Sequence, residues 1–292
     1  MGNCQTQPVN LITSFRNFQR RIQQIDETVR RNDASPIVLN EAEAFLRLRT
    51  GELLYVDPRD LSVAPWLMMG GEWEPQLTRH FLDAVQSTST VLDLGANFGY
   101  FGIIAATKAA KGEVHLFEAN SHLIPYLNKS RLVHSACAQI FVNHVAVAAS
   151  SGAPITLKKP RYLLGSASVA RGHQLVEESD PYVDEEEVGT RSVDDYCDEA
   201  GLLRVDVVKM DVESFEEEAF AGMERTIARS PGLVAFVEYT RGAYSSDFFP
   251  RLRSWFGSVE VLHPERGAVA VANERDAFEG LDVEPATLIL RK

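Results

Sequence analysis

Val91-Leu92-Asp93-Leu94-Gly95-Ala96-Asn97-Phe98-Gly99-Tyr100-Phe101-Gly102 is the stretch that decides how this chain folds. Val91 to Leu94 is a short apolar run that stops at a glycine-rich turn. The apolar, alanine-rich segment after it reads as a helix through about Ala110. Strand, glycine turn and helix in that order build a nucleotide-type binding corner at the carboxyl edge of a parallel sheet. A dinucleotide fingerprint needs a second glycine two residues after the first, where the backbone must approach a pyrophosphate. Here that position is Asn97, whose side chain stands in the way. The remaining pattern, D-x-G-x-x-x-G from Asp93 to Gly99, suits a ligand without phosphates.

S-adenosylmethionine is such a ligand, and the next strand carries the partner it needs. Glu113 to Glu118 (EVHLFE) ends in a carboxylate, which can accept two hydrogen bonds from ribose hydroxyls. The alternative is that Glu118 only caps a helix beginning near Ser121. The backbone at Gly95, Ala96, Asn97, Gly99, Tyr100 and Phe101, with the helix that starts there, favours the methionine carboxylate. Asp93 accepts from the methionine ammonium or orders the turn. Ala119 and Asn120 border the adenine edge. Asn143, His144 and Val145 end the third strand on the same rim, where a polar group can read the adenine amine.

The rest of the chain sets bounds. Its 292 residues suffice for a full core, and 45% hydrophobic with 24% charged residues is ordinary for a globular protein. A net charge of -12 argues against a nucleic-acid partner, which wants a basic face. No apolar stretch reaches the roughly 18 residues a membrane span needs. Cys4, Cys137 and Cys197 are scattered without CxxC spacing, so neither a disulfide framework nor a zinc site is expected and a reducing cytoplasm fits. The histidines (80, 115, 122, 134, 144, 173, 263) show no HExxH or paired spacing, so no metal is expected. The start, Met1-Gly2-Asn3-Cys4-Gln5-Thr6, matches a myristoylation pattern that has meaning only in a eukaryotic cell.

Three regions follow from periodicity. Residues 1–36 hold an amphipathic helix: Leu11, Phe15, Phe18, Ile22, Ile25 and Val29 form a heptad stripe with arginines off it, suited to a homodimer or to docking across the body. Residues 37–90 are a lead-in, with short strands or turns at 51–55 and 61–69, a break at 70–75 and a helix over 76–85. Residues 91–292 are the catalytic domain. Strands are expected at 91–95, 113–118, 138–147, 205–211, 232–239, 258–264 and 284–291. Helices are expected at 99–110, 121–135, 192–200, 215–229 and 247–256. This alternation predicts an α/β fold with a doubly wound, mostly parallel seven-stranded sheet, its last strand antiparallel. The interval 148–190 is too long for a simple connection and reads as a lid-like insertion. It carries a basic group (Lys158, Lys159, Arg161, Arg171) and an acidic run from Glu177 to Glu187. The bland alternative is a solvated insertion whose charges pair with one another.

VLDLGANFGYFG, LFEAN, VNHVAV and VKMDVESFEEEAFAGM, in that order over roughly residues 71–240, resemble the FkbM family of class I, Rossmann-like methyltransferases. The family usually reads D-V-E-G-x-E in the fourth block, and here Ser214 replaces that glycine while Asp211, Glu213 and Glu216 remain. The resemblance implies methyl transfer, most often to a hydroxyl oxygen of a sugar or natural product. Glu74 resembles the family's upstream acid, reaching the ribose or ammonium, with loop capping as the alternative.

Asp211 and Glu213 end the fourth strand, the position nearest the reactive methyl in this fold. A carboxylate there can accept the acceptor's proton or hold its hydroxyl in line. Asp211 also borders the cofactor, and Glu213 alternatively caps the next helix. His144 and His173 are candidate bases, and Glu238 with Tyr239 a wall of the acceptor pocket. The expected function is O-methylation of a sugar, glycan or natural-product small molecule, with the basic group of the insertion suggesting an acceptor with negative charge. N-methylation, a nicotinamide-dependent oxidoreductase and a non-catalytic cofactor-binding scaffold are the rivals. Asn97 stands against the oxidoreductase.

Overall fold

The computed structural model describes residues 35–169, 182–279, 281 and 285–292. The heptad stripe, the myristoylation-type start, Arg171 and His173 lie outside the described residues. The lead-in forms β1 (Ile37–Asn40), β2 (Glu43–Arg47) and β3 (Leu53–Val56), an antiparallel sheet in that order. Helix α1 (Ala64–Gly70) follows where strands or turns were expected, and α2 spans Pro75–Ala84. The helix at 64–70 has a local cause. Pro65 fits a first helical turn, and the Asp60 carboxylate accepts from the Val63 and Ala64 N–H groups, at 2.9 and 2.8 Å.

Then come β4 (Thr90–Leu94), α3 (Tyr100–Lys108), β5 (Glu113–Glu118), α4 (Ile124–Val133), β6 (Gln139–His144) and β7 (Ala146–Val147). The insertion supplies β8 (Pro154–Pro160), β9 (Ser168–Val169) and β10 (Val183–Arg191). The chain continues through α5 (Val193–Ala200), β11 (Val207–Met210), α6 (Glu216–Ala221), α7 (Glu224–Arg229), β12 (Val234–Tyr239) and α8 (Phe248–Trp255). It ends with β13 (Ser258–His263), β14 (Gly267–Ala270), α9 (Glu274–Ala277) and β15 (Ala286–Arg291).

The main sheet runs β14-β13-β15-β12-β11-β4-β5-β6. The stretch from β6 to β12 is parallel, and β15 pairs antiparallel with both β12 and β13. The seven expected strands are all present. An eighth, β14, joins the edge, because the tight return at residues 264–266 folds Gly267–Ala270 back on β13. The expected helix at 215–229 is two helices. Gly222 interrupts it where the Ala148 backbone passes so closely that a Cβ would stand 2.1 Å from the Ala148 carbonyl oxygen.

Alternation along the buried strands builds a core on each sheet face. Val91, Val207 and Phe236 join one apolar cluster with Phe81, Ile103 and Ile104, and Leu46 and Leu54 of the lead-in complete it. Leu92, Leu94, Val208, Met210 and Val237 join the other with Phe220 and Phe248. Among the described residues no helix is long and apolar enough to cross a membrane.

The insertion is not irregular. β8 and β10 form a regular antiparallel pair from Val183↔Pro160 to Gly189↔Pro154, within a sheet ordered β7-β10-β8-β9. Two of its cations are paired: Lys159 with Glu186 at 2.6 Å and Arg161 with Asp184 at 2.8 Å.

Candidate functional site

The site begins where β4 and β11 end side by side. Gly95 has φ +80° and passes so near β11 that a Cβ would lie 1.8 Å from the Asp211 carbonyl oxygen. Only glycine fits there. The N–H groups of Gly95 and Ala96 both donate to the Phe117 carbonyl at 2.9 Å, fixing the turn against β5. Asn97 takes φ +52°, and Glu74, Glu213 and Ser214 take +43°, +54° and +69°. These are the only non-glycine residues in the left-handed region among those described, and two of the four, Asn97 and Glu213, line one hollow. Such backbone strain gathers at functional sites.

Two adjoining cavities share Gly95, Asn97, Gly165, Asp211 and Glu213. The first, about 640 Å³, is largely apolar: Phe117, Leu123, Val145, Leu157, Leu164 and Val169 line it, with Glu118 on its wall. The Glu118 carboxylate accepts from the Asn97 N–H at 2.7 Å and the Asn120 N–H at 2.8 Å, tying the two turns together. Burial pushes its pKa up to about 7 against the pull of those N–H groups. The helix after it starts only at Ile124, so Glu118 does not cap it.

The second cavity, about 820 Å³, is acidic. Asp93, Asp211, Glu213 and Glu238 line it with Lys209, Tyr100, Phe101 and Trp73. Strand register places this group. Lys209 stands opposite Asp93 on β4 and Phe236 on β12, so Asp93, Lys209 and Glu238 share one sheet face at its carboxyl edge. Lys209 is 3% exposed. Its Nζ lies 3.1 Å from Asp211 Oδ2 and 5.3 Å from the Phe101 ring centroid. Burial disfavours its charge, but Asp211, Glu74, Glu238 and Asp93 hold the proton on, above the ordinary lysine range.

The carboxyls divide accordingly. Burial would raise Asp211, yet Lys209 and a hydrogen bond with the Glu238 carboxyl bring it below its ordinary value. Glu238 is pushed far up by burial and by the Asp211 charge. Burial, then Asp211 and Glu216, push Glu213 up to about 8. Burial pushes Asp93 up to about 6 although Lys209 and the Gly102 N–H (2.9 Å) oppose it. Burial raises Glu74 too, against Lys209. One ammonium thus faces a ring of carboxyl groups, of which Asp211 alone is drawn below its ordinary value.

A strap borders both cavities. Leu164, Gly165, Ser166, Ala167 and Val169 at the inner end of the insertion line them, and three hydrogen bonds fasten the strap to the lead-in. These are Leu61 N–H to the Tyr162 carbonyl (2.7 Å), Leu164 N–H to Asp60 (2.9 Å) and Gly165 N–H to Ser62 Oγ (3.1 Å).

The family model of the methyltransferase FkbM domain matches residues 93–267, the span that carries this corner. The chain belongs to the FkbM methyltransferase family. No curated protein matches it. Solved structures similar to this FkbM methyltransferase include a SAM-dependent methyltransferase from Agrobacterium tumefaciens, at 12% identity and TM-score 0.44, covering 88% of this chain and 72% of that one. Precorrin-6y C5,15-methyltransferase from Geobacter metallireducens GS-15 gives 12% and 0.42, covering 74% and 87%. The tRNA (uracil-54, C5)-methyltransferase from Pyrococcus abyssi, in complex with S-adenosyl-L-homocysteine, gives 12% and 0.42, covering 86% and 44%. Likeness at this level says nothing of the acceptor.

The cofactor of this FkbM methyltransferase is S-adenosylmethionine. The residues present fit it. The first cavity offers apolar walls to an adenine ring, a carboxylate with spare lone pairs, and the buried Asn97 Oδ1, which has no hydrogen-bond partner. The second offers carboxyl groups to a cation.

Of the residues singled out from sequence, Gly95, Asn97, Glu118, Ala119, Val145, Asp211 and Glu213 line the first cavity. Asp93, Ala96, Tyr100 and Phe101 line the second, and Gly99 starts α3 behind them. Glu74 caps α2 within the reach of the Lys209 charge. Three residues are placed elsewhere. The Asn143 amide donates to the Leu116 carbonyl (3.0 Å) and lies beside Tyr196, on a separate hollow. Fully buried Asn120 accepts from the His122 N–H through Oδ1 and borders a third cavity with Arg59 and Lys159. His144 Nε2 lies 3.1 Å from the Ala119 carbonyl and 3.4 Å from Glu186, outside both site cavities. Strand-end position alone does not fix which way a side chain turns, and these three turn toward neighbouring backbone or the insertion. Tyr239 is buried among Tyr244 and Phe248 and lines neither cavity, while Glu238 does. Lys209 was missed. The available signal was a charged residue inside the otherwise apolar strand Val207–Met210.

Proposed function

We propose that this FkbM methyltransferase methylates a hydroxyl oxygen on a sugar, glycan or natural-product small molecule. The observation that carries the reading is the ionised Asp211 carboxylate facing the acidic cavity at the tip of β11, its side chain 29% exposed. S-adenosylmethionine supplies a methyl group bound to a positively charged sulfur, and the carbon–sulfur electron pair stays with sulfur on transfer. Glu118 holds the ribose hydroxyls, and the apolar first cavity encloses the adenine. The Gly95–Phe101 turn meets the methionine carboxylate, and Asp93 with Glu74 meets the ammonium.

Asp211 receives the acceptor's proton or holds its hydroxyl in line, and Glu213 borders the same space. The carboxyl ring also bears on the class of acceptor. It stabilises an amine as its ammonium, which has no lone pair to methylate, whereas a hydroxyl stays neutral and nucleophilic. With Lys159 and Arg161 already paired, the cavity favours a neutral acceptor over an anionic one. The insertion acts as the lid, and the stripe at residues 11–29 serves as a dimer helix. A reducing cytoplasm suits the free thiols of Cys137 and Cys197.

The test is to incubate the protein with S-adenosylmethionine and matched panels of glycosides, other alcohols and amines, reading S-adenosylhomocysteine and methylated product by mass spectrometry. Turnover in the hydroxyl panel, reduced about 100-fold or more in Asp211→Asn, supports the reading. Turnover confined to amines overturns it.

A further inference from the structure

We propose that Lys209 is a positioning residue for methyl transfer, holding the Asp211 carboxylate in the place and charge state that receives the acceptor's proton. The inference rests on the hydroxyl-methylation reading and adds to it the group that prepares Asp211.

Lys209 is the only lysine or arginine buried among the described residues. A buried ammonium is costly unless it is paired and hydrogen-bonded. Here every element packed around it contributes. Asp93 faces it from β4, Asp211 from the end of its own strand, Glu238 from β12 and Glu74 from the cap of α2. The Phe101 ring of α3 covers the remaining side at 5.3 Å, a cation–π contact. Glu213 lies beyond Asp211. Only Asp211 takes a direct hydrogen bond from Nζ, at 3.1 Å.

The consequence is an order among the acids. A carboxylate with an ammonium at hydrogen-bond distance keeps its charge, and its neighbours then keep their protons because like charges crowd. The Glu238 carboxyl shares a hydrogen bond with Asp211. One oxygen of Asp211 is therefore tied to Lys209, and the carboxylate remains free to accept from a hydroxyl entering the cavity. As the acceptor oxygen takes the methyl, its O–H bond breaks and the proton passes to Asp211. Lys209 acts on the transfer through Asp211, its direct hydrogen-bond partner.

The first measurement needs no acceptor. Carboxyl ¹³C NMR on aspartate-labelled protein, with the Asp211 signal assigned by its loss in Asp211→Asn, gives the titration midpoint of that group. The wild type is expected to titrate below the ordinary aspartate range. In Lys209→Met, which keeps length and apolar bulk, the midpoint rises by about 1–3 pH units. In Lys209→Arg, which keeps the charge, it moves by less than half as much. The second measurement is the pH profile of turnover, once an acceptor is in hand. Its acid limb shifts upward in Lys209→Met by the same amount, and kcat falls about 10- to 1,000-fold while KM for the acceptor changes less than threefold.

An Asp211 midpoint at or above the ordinary range in wild type overturns the proposal even if Lys209→Met does not fold. An unshifted midpoint in folded Lys209→Met overturns it equally. Failure of the hydroxyl-methylation reading looks different: the NMR shift is present, and no alcohol is methylated.

Discussion

Ser214 holds its backbone at φ +69°, a region in which a side chain crowds the adjoining carbonyl. The family's fourth block carries glycine at this place, and the geometry supplies the reason. Replacing Ser214→Gly relieves the strain and stabilises the fold by about 1 kcal/mol, raising the thermal midpoint by roughly 2–4 °C in a scanning calorimeter. Glu118 is a second test at this scale. Glu118→Ala removes the carboxylate proposed to hold the ribose and orphans the N–H groups of Asn97 and Asn120. Cofactor affinity in isothermal calorimetry is expected to fall about 10- to 100-fold. Glu118 was picked out from sequence by its place at a strand end, and Ser214 by the family resemblance. Lys209 was not. A lysine inside a four-residue strand reads as an edge or a solvent-facing residue, and only the register against Asp93 and Phe236 reveals the acids around it. Asn143 and His144 failed for the complementary reason: the strand was placed well, and the side chains found nearer partners than a ligand.

Among elements, the strap and its anchor repay attention. Asp60, 1% exposed, accepts from Ser62 N–H and Oγ–H, Val63 N–H, Ala64 N–H and Leu164 N–H. One carboxylate therefore both starts α1 and fastens the strap. Asp60→Ala leaves those donors unpaired and costs about 1–3 kcal/mol locally. Limited proteolysis is expected to cut near residues 161–169 in the variant sooner than in wild type, and bound S-adenosylmethionine to leave faster in stopped-flow. None of this was visible in the sequence, where Asp60 reads as a turn residue. The hairpin of β8 and β10 was hidden as well. Its alternation is masked by lysines and acidic residues that face each other, Lys158↔Glu185 and Lys159↔Asp184, so the stretch resembles a polar loop until the strands are paired. The alternating core strands and helices were legible throughout, because burial on both faces leaves long apolar runs.

For the whole molecule, the buried carboxyls set how stability depends on pH. Asp93, Glu118, Glu216 and Glu213 have folded-state values of about 6, 7, 7 and 8, in each case raised first by burial. Above the ordinary carboxyl range the unfolded chain ionises them while the folded chain keeps their protons, so stability declines as pH climbs from about 4.5 toward 8. Asp57 runs the other way. Burial raises it, but hydrogen bonds from Arg59 and His122 draw it down to about 2, a contribution lost only in stronger acid. The unfolding midpoint of the cofactor-free protein is therefore expected to fall between about pH 5 and pH 8 in differential scanning fluorimetry, and affinity for the cationic cofactor to grow over the same interval. Oligomeric state is a separate matter: light scattering of the full chain against one lacking residues 1–34 tests the proposed role of the heptad stripe in dimerisation. The fastened strap also bears on the rhythm of turnover. Under the proposed lid role, a spent molecule departs after Tyr162, Leu164 and Gly165 have let go of their anchors. A rapid-quench time course will therefore show the opening cycle finishing ahead of all later ones, a burst of methylated product equal to the number of enzyme molecules and then a slower steady climb paced by release.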